Sequence, residues 1–402
     1  MRENVVAVNH AGEDSPMNKI ENNSASGNMI TLPVIQEGSC CCGTAQTVPD
    51  ALPLLNQTFV TGSIPTVAGK LPRVSSALSR RDHWGSIKAR WGVGRMDYAI
   101  DPGLYALGYP DNNSPVLVTA NYKMTFDRLR EALPGRDAWI LVLDTKGINV
   151  WCAAGKGTFG TEELIKKIES SRLKDIVSHR KLIIPQLGAP GVAVHKVKQV
   201  SGFKVYYGPI RAADVAAYLD AGLKATAEMR IMTFHLKDRV VLIPIELTET
   251  IKPFLMIAPI LFLLGGIGGP AGFWANAINY GLFAVAAFLA AILGGVVINP
   301  LLLPYLPGRA FSIKGFLIGI VIALILLYLR DINLQAWSGR IEALAWLMII
   351  PAISAYLAMN FTGASTYTSL SGVKKEMRWA LPLEITASVC GLLIWITSRV
   401  IA

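Results

Sequence analysis

After residue 252 the chain holds five apolar runs, at roughly 253–269, 273–298, 311–329, 341–360 and 381–400. Each is close to the ~20 residues that a helix needs to cross about 30 Å of hydrocarbon. A segment of this kind can only be a bundle of spanning helices, because lipid offers no partner to exposed backbone groups. The rest of the chain is different. Of 402 residues only 16% are charged, and most of these lie before residue 252, so a soluble part precedes the membrane part. Arg309, Lys314, Lys374, Lys375 and Arg378 fall between spans two and three or four and five, against Arg330 and Arg340 between three and four. By the positive-inside rule the soluble half lies in the cytoplasm and the protein sits in the cytoplasmic membrane. The net charge of +10 does not point to nucleic acid, since no Lys/Arg block is interleaved with aromatics. Basic residues here set topology or meet anionic lipid. The intramembrane acids Glu342 and Glu384 lie near span ends, where solvated head groups are expected; the bundle reads as an anchor.

Residues 1–80 are rich in Asn, Ser, Thr, Gly and Pro, have weak apolar periodicity, and read as a loosely packed leader. The first ten residues show no signal-peptide core. Residues 81–250 alternate β-branched runs with amphipathic stretches. Strands are expected at 115–119, 138–143, 182–184, 203–207 and 240–243. Helices are expected around 125–131, at 161–168 with Thr161 as cap, and at 211–219. That alternation argues for an α/β domain with a parallel sheet, in which ligands bind beyond the carboxyl ends of the strands. The membrane unit then occupies 251–402.

Five cysteines are present, Cys40, Cys41, Cys42, Cys152 and Cys390. Three in a row and two isolated do not make a disulfide framework, and a reducing compartment suits them. No Cys-x-x-Cys occurs, so no zinc ribbon or cluster site is indicated. The five histidines are scattered without ligand spacing. The stretch Asn149-Val150-Trp151-Cys152-Ala153-Ala154-Gly155-Lys156 follows an apolar strand. Small residues beside Cys152 let a large group approach the backbone, Trp151 offers a flat face, and Lys156 with nearby helix amides favours the thiolate that binds metal or attacks. A buried structural cysteine fits the same residues. The Gly155-Lys156 pair resembles a Walker A ending, but the required glycine five positions earlier is Val150, so nucleotide binding is not expected.

The Asn149–Lys156 motif resembles the cap helix of the HgcA family, the membrane-anchored corrinoid proteins of the mercury-methylating pair. The surrounding 95–245 resembles the corrinoid domain of the corrinoid iron–sulfur protein of the acetyl-CoA pathway. The resemblance implies a Rossmann-like corrinoid-binding domain followed by an all-α transmembrane bundle of about five helices, with corrinoid (cobalamin) as cofactor. It implies that Cys152 is the lower axial cobalt ligand and that Asn149, Val150, Trp151, Ala153, Ala154, Gly155 and Lys156 form the rest of the cap. Thr119 and Thr125 match a segment facing the corrinoid. Gln186, Leu187, Gly188, Ala189 and Gly191, with Tyr207, Gly208 and Pro209, resemble the loops that hold it; ordinary turns are the other reading of these two.

The activity implied is methyl transfer from cobalt to Hg(II). Hg(II) is a soft ion held by thiolates, and it takes up a methyl group with its bonding electrons or as a radical. A thiolate on the opposite face of cobalt donates charge and eases release toward such an acceptor; the cap is expected to shield it from solvent. Re-methylation implies a methyl-folate-linked methyltransferase. Reduction implies a ferredoxin-like two-cluster iron–sulfur partner of the HgcB type, since no cluster motif is present here. Cys40, Cys41 and Cys42, flanked by Gly38, Ser39 and Gly43, could capture Hg(II); an incidental cluster is the competing reading. Two other functions remain in view: a membrane-bound corrinoid methyl carrier in one-carbon metabolism, and a transporter with a cofactor-sensing domain. Sparse intramembrane charge argues against the transporter.

Overall fold

The computed structural model describes residues 52–269, 271–361 and 370–401. Its first half is built on a seven-stranded sheet: β1 (Val60–Thr66), β2 (Gly69–Val74), β3 (Gly103–Leu107), β4 (Val116–Ala120), β5 (Ala138–Leu143), β6 (Lys181–Ile184) and β7 (Lys204–Tyr207), in the order β1-β2-β3-β5-β4-β6-β7. Strands β5, β4, β6 and β7 are parallel, as the alternating pattern requires. Strand β3 runs antiparallel to β5 and the β1–β2 hairpin extends that edge, so the whole sheet is mixed.

The interleaved helices are α1 (Arg80–Arg90), α2 (Lys123–Glu131), α3 (Val150–Lys156), α4 (Thr161–Ser170), α5 (Leu173–Ile176), α6 (Val194–Ser201) and α7 (Val215–Asp220). Both sheet faces are covered, which is why the central strands read as continuous apolar runs. On β5, Trp139, Leu141 and Leu143 enter one core with Leu164, Ile168 and Val197 of α4 and α6. Ile140 and Val142 point the other way, to Phe126 of α2 and Val215 and Tyr218 of α7. This is the two-residue period of a strand applied to a sheet with no wet face.

Two expectations for the boundaries of this half are corrected. The leader does not extend to residue 80, because β1, β2 and the start of α1 belong to the sheet and its support. Gly62, Pro65, Gly69 and Pro72 gave that stretch the composition of a loop. Pro65 lies on the edge strand and Pro72 falls outside the two residues of β2 that pair with β3, where a missing N–H is tolerated. The segment is anchored by a buried tetrad: Lys123 Nζ lies 2.5 Å from Asp82 Oδ1 and 2.6 Å from Asp127 Oδ2, while Arg130 Nη2 and Nε lie 2.9 and 2.8 Å from Asp82 Oδ2 and Asp127 Oδ1. Burial opposes ionisation of Asp82, but hydrogen bonds from Lys123 and Ser79 prevail and hold its carboxyl well below the usual range. Residues 240–243, expected as a closing strand, are helical or turn, with Leu236–Val240 and Ile243–Leu264 opening the membrane unit. The β-branched run signalled burial there, and four residues cannot separate a strand from a helix.

Among the described residues, five helical segments are long and apolar enough to cross a membrane: Leu236–Leu264, Phe273–Leu302, Phe311–Leu329, Trp337–Asn360 and Lys374–Ile401. Phe311–Leu329 packs on Trp337–Asn360 through Gly315 and Gly319, which meet the backbone of Ser354 and Pro351 with no room for a Cβ. The expected solvated acids are instead inside the protein. Glu342 is buried and pairs with Arg330 Nε at 3.0 Å. Glu384 is 8% exposed, and neither carboxyl oxygen has a partner among the described residues. Lys314 is no loop cation; it lies inside its helix and donates to the Leu303 carbonyl at 2.7 Å. Sparse intramembrane charge therefore no longer argues against a transporter.

Candidate functional site

From β4 the chain passes through α2 to β5 on one side, and from β5 through α3, α4 and α5 to β6 on the other side of β4. The carboxyl ends of β4 and β6 thus form a topological switch point, where the outgoing connections diverge and leave a crevice. A cavity of about 350 Å³ opens there. Leu117, Val118 and Ile183 line it from the strands, with Thr119 at the end of β4 and Thr125 on α2. Asn149 and Val150, Leu187, and Gly208 with Pro209 bring in the three expected loops. A second cavity, about 580 Å³, lies at the opposite ends of the same strands around Val116, Ala138 and Lys181. Its size does not make it the site, because the divergent connections and the expected loops all lie at the other end.

Helix α3 carries the cysteine. Asn149 is extended and its Oδ1 accepts from the Cys152 amide at 3.0 Å, capping the helix. Gly157, with φ of 80°, ends it in a left-handed turn. Ala153 and Ala154 are buried against the tight turn Gln186–Gly191, and Gly191 fits there because a side chain would strike the Phe159 carbonyl and Ala154. Trp151, Cys152, Gly155 and Lys156 form the opposite, exposed face. Cys152 is therefore exposed, and the cavity is lined by Asn149 and Val150 of this segment but not by Trp151, Cys152, Gly155 or Lys156. The expectation that the cap itself shields the thiol is not met, and the buried structural cysteine is excluded.

Several supporting residues carried no recognised motif. Asn121 follows β4 directly; its Oδ1 accepts from Thr145 N at 3.1 Å, Thr145 Oγ1 at 2.8 Å and Gly147 N at 3.0 Å. It thereby pins the loop that delivers α3 to the strand end beside the cavity. Glu163 accepts from Asp144 N at 2.9 Å in the same loop, and burial raises its pKa. Arg230 donates to Gln186 Oε1 and, at 3.2 Å, to the Tyr207 carbonyl, clamping the two holding loops together. The signal that was available is position: Asn121 is the first residue past a strand at the switch point. Thr161 does not cap α4, where Gly160 is the cap residue. Its Oγ1 accepts from Ala193 N at 2.8 Å instead, tying α4 to the chain after Gly191.

The structure thus gathers Thr119, Thr125, Asn149, Val150, Leu187, Gly208 and Pro209 around one cavity. Gln186, Gly188, Ala189, Gly191 and Tyr207 belong to the loops behind that lining. Cys40, Cys41 and Cys42 lie outside the described residues. The mostly apolar lining, the Gly208 and Pro209 flank, the Thr119 and Thr125 hydroxyls and the exposed Cys152 outside the cavity suit a large ligand that covers the strand ends and extends past the cavity, such as a corrinoid.

Residues 94–219 match the family model described as CO dehydrogenase/acetyl-CoA synthase delta subunit. The acetyl-CoA decarbonylase/synthase complex subunit gamma of Methanopyrus kandleri is 35% identical over 128 residues, 31% of this chain and 27% of that protein. The same subunit of Methanocaldococcus jannaschii is 39% identical over 97 residues, 24% of this chain and 20% of the relative. The corrinoid/iron-sulfur protein large subunit of Moorella thermoacetica is 29% identical over 126 residues, covering 31% and 28%. The chain spans about a quarter of the length of the curated relatives it matches. The matched segment is a corrinoid-protein-like domain, and it contains β3 to β7 and the whole switch-point cavity floor.

Proposed function

We propose that this chain is a membrane-anchored corrinoid protein that carries a methyl group, and that Cys152 provides the lower axial sulfur. The observation that carries this reading is an accessible cysteine on a capped helix beside a switch-point cavity, inside a corrinoid-protein-like domain. When bound, the corrinoid supplies a cobalt centre that takes up and releases a methyl group. The chain's own part is positional. Asn149 fixes the start of α3, Ala153 and Ala154 seat it on the Gln186–Gly191 turn, and Asn121 sets the incoming loop, so that the Cys152 sulfur is presented on a rigid element. Thr119 and Thr125 would offer hydroxyls to a bound corrinoid, and Leu117, Val118 and Ile183 would give it an apolar lining that excludes water.

The acceptor we propose is Hg(II), delivered as a thiolate complex, giving methylmercury. The Asn149–Lys156 motif and the membrane bundle, which lies outside the matched 94–219, favour this acceptor. The names of the relatives favour the second reading, a methyl carrier in one-carbon metabolism working within an acetyl-CoA decarbonylase/synthase type of assembly. Either reading calls for a methyl-folate-linked methyltransferase and a ferredoxin-like reductant, of the HgcB type in the first. Both place the α/β unit on the cytoplasmic side of the membrane.

Optical and X-ray absorption spectra of the corrinoid-loaded protein test the ligand. Wild type should show a cobalt–sulfur bond that Cys152→Ala lacks, and identical spectra would remove Cys152 from its role. Methyl transfer to Hg(II) by the loaded protein supports the first acceptor. Transfer only to an acetyl-CoA-type partner assigns the second.

A further inference from the structure

Helix α1 keeps a large apolar face open. Arg80, Arg81, Trp84, Ile87, Lys88 and Trp91 project from one arc of the helix, opposite the buried Asp82 and Ala89. Trp84 is 59% exposed and Trp91, which ends the helix, is 48% exposed. Ile87 joins them, and Val93 and Met96 carry the patch into the following loop. Single exposed apolar residues are ordinary, but a cluster with two open indole rings marks a surface that meets something. The rim of the patch is cationic. Lys88 Nζ stands 5.9 Å from the centre of the Trp84 ring, and Arg80, Arg81 and Lys88 have no salt-bridge partner among the described residues. The one acid of the helix, Asp82, is turned inward and held by the buried tetrad.

This face runs directly into contact with the membrane unit. Gly92, with φ of 75°, turns the chain, and a Cβ there would lie 3.2 Å from Ile245 Cδ1 and 3.5 Å from Thr248 Cγ2 of the first span. Arg90 and Arg95 line the switch-point cavity together with Leu242 and Ile245. In the helix Ile243–Leu264 the last charged residue is Lys252, and none follows in the chain until Arg309. The hydrocarbon level therefore begins near Pro253. From the rise of an α-helix, Ile245 and Thr248 stand roughly 8–12 Å outside that level. This is the outer edge of a headgroup layer about 5–8 Å deep. The end of α1 is held at that height.

We propose that the outer face of α1 lies on the anionic headgroup layer of the membrane that the bundle crosses, with Trp84, Ile87 and Trp91 in the interface and Arg80, Arg81 and Lys88 on lipid phosphates. This rests on the membrane-anchored reading above. A bilayer surface is the occupant that these residues fit. Tryptophan favours the headgroup level because its ring is apolar and its N–H polar. The cytoplasmic leaflet carries the negative charge that attracts three clustered cations. The adjacent span already tethers the helix there, so docking is an intramolecular step. The consequence is orientation. Because Asp82 ties α1 to the sheet and Arg90 at its end lines the cavity, a docked α1 fixes the switch-point cavity close to the lipid surface.

The test uses the full chain in lipid nanodiscs and reads tryptophan fluorescence. Trp84→Phe combined with Trp91→Phe keeps the face apolar, so the difference from wild type isolates these two rings. In phosphatidylglycerol nanodiscs that difference signal should be quenched by lipid brominated high on the acyl chain and shielded from aqueous iodide. The quenching should fall about twofold or more in phosphatidylcholine nanodiscs, and likewise when Arg80→Gln, Arg81→Gln and Lys88→Gln are combined. Rings open to iodide and untouched by brominated lipid would overturn the proposal. Rings shielded from both quenchers would also overturn it, since a protein surface would then cover α1. Quenching that ignores lipid charge and the triple variant would overturn the assignment of the three cations to lipid phosphate. The same difference taken for Trp274→Phe with Trp337→Phe, exposed residues at the starts of two spans, checks the membrane-anchored reading. If brominated lipid leaves those rings unquenched, that reading has failed. If it quenches them and not Trp84 and Trp91, only the docking of α1 has failed.

Discussion

In the α/β half, Asp82, Lys123, Asp127 and Arg130 are nearly inaccessible, and every one of them has a charged partner within 2.9 Å. In the membrane half, Asn299, Glu384 and Arg399 are just as inaccessible, yet both polar atoms of Asn299, both carboxyl oxygens of Glu384 and two nitrogens of Arg399 have no hydrogen-bond partner among the described residues. Arg399 rests its guanidinium on the Tyr280 ring instead, 3.1 Å from the centre. The difference follows from what each group would otherwise face. A buried charge in the soluble half would otherwise face water, and its burial is costly unless it is paired. A polar group on a spanning helix competes with hydrocarbon, so the protein interior is preferable even without a partner.

The following variants break or sharpen this comparison, those expected to abolish function or unfold a half first and the mildest last. Cys152→Ala should leave corrinoid binding in place and lower methyl transfer at least ~100-fold, about 2.7 kcal/mol in barrier, measured by product formation at saturating acceptor. Residual transfer near wild type would move the chemistry elsewhere.

Asp82→Ala leaves Lys123 and Arg130 short of a counter-charge and should cost about 3–5 kcal/mol, read as a lowered unfolding midpoint of the α/β half. The pH dependence has a definite sign. The Asp82 pKa is depressed in the folded state, so its contribution is complete above the unfolded value of about 3.9 and is lost as pH falls below it toward the folded value. Unfolding curves at stepped pH should show that acid loss in wild type and a shallower one in Asp82→Asn. A fragment beginning at residue 95 lacks Asp82 and should be less stable than one beginning at residue 52.

Gly319→Leu forces a side chain against the Pro351 backbone and should destabilise the bundle by about 1–3 kcal/mol. Its signature is a lowered melting point in detergent with corrinoid affinity unchanged, and a matching loss of affinity would show that the two halves are not separable. Asn121→Ala removes the acceptor of three hydrogen bonds and should weaken corrinoid binding by about 1–3 kcal/mol, with added mobility of 144–148 in hydrogen exchange. The smallest effect belongs to the combined Cys40→Ala, Cys41→Ala and Cys42→Ala variant. It should slow methylation only at limiting Hg(II), and an unchanged mercury titration would end the idea of a delivery site there.

The sequence by itself marked five candidate spans, because an apolar run of about twenty residues favours a spanning helix, although the first helix runs over Leu236–Leu264 rather than 253–269. It also determined the parallel centre, since Val116–Ala120 and Ala138–Leu143 are too apolar for a sheet with a wet face, and it singled out Asn149–Lys156. It could not show β1 and β2, whose glycines and prolines read as turns until an edge position makes them tolerable. Nor could it show that Glu384 faces inward, because length and hydropathy define a span but not its rotation. The pinning of the 145–147 loop by Asn121 and the clamping of the two holding loops by Arg230 appear only in the tertiary structure. Each joins groups distant in sequence, and hydrogen-bond pairing across a fold leaves no periodic trace in the chain.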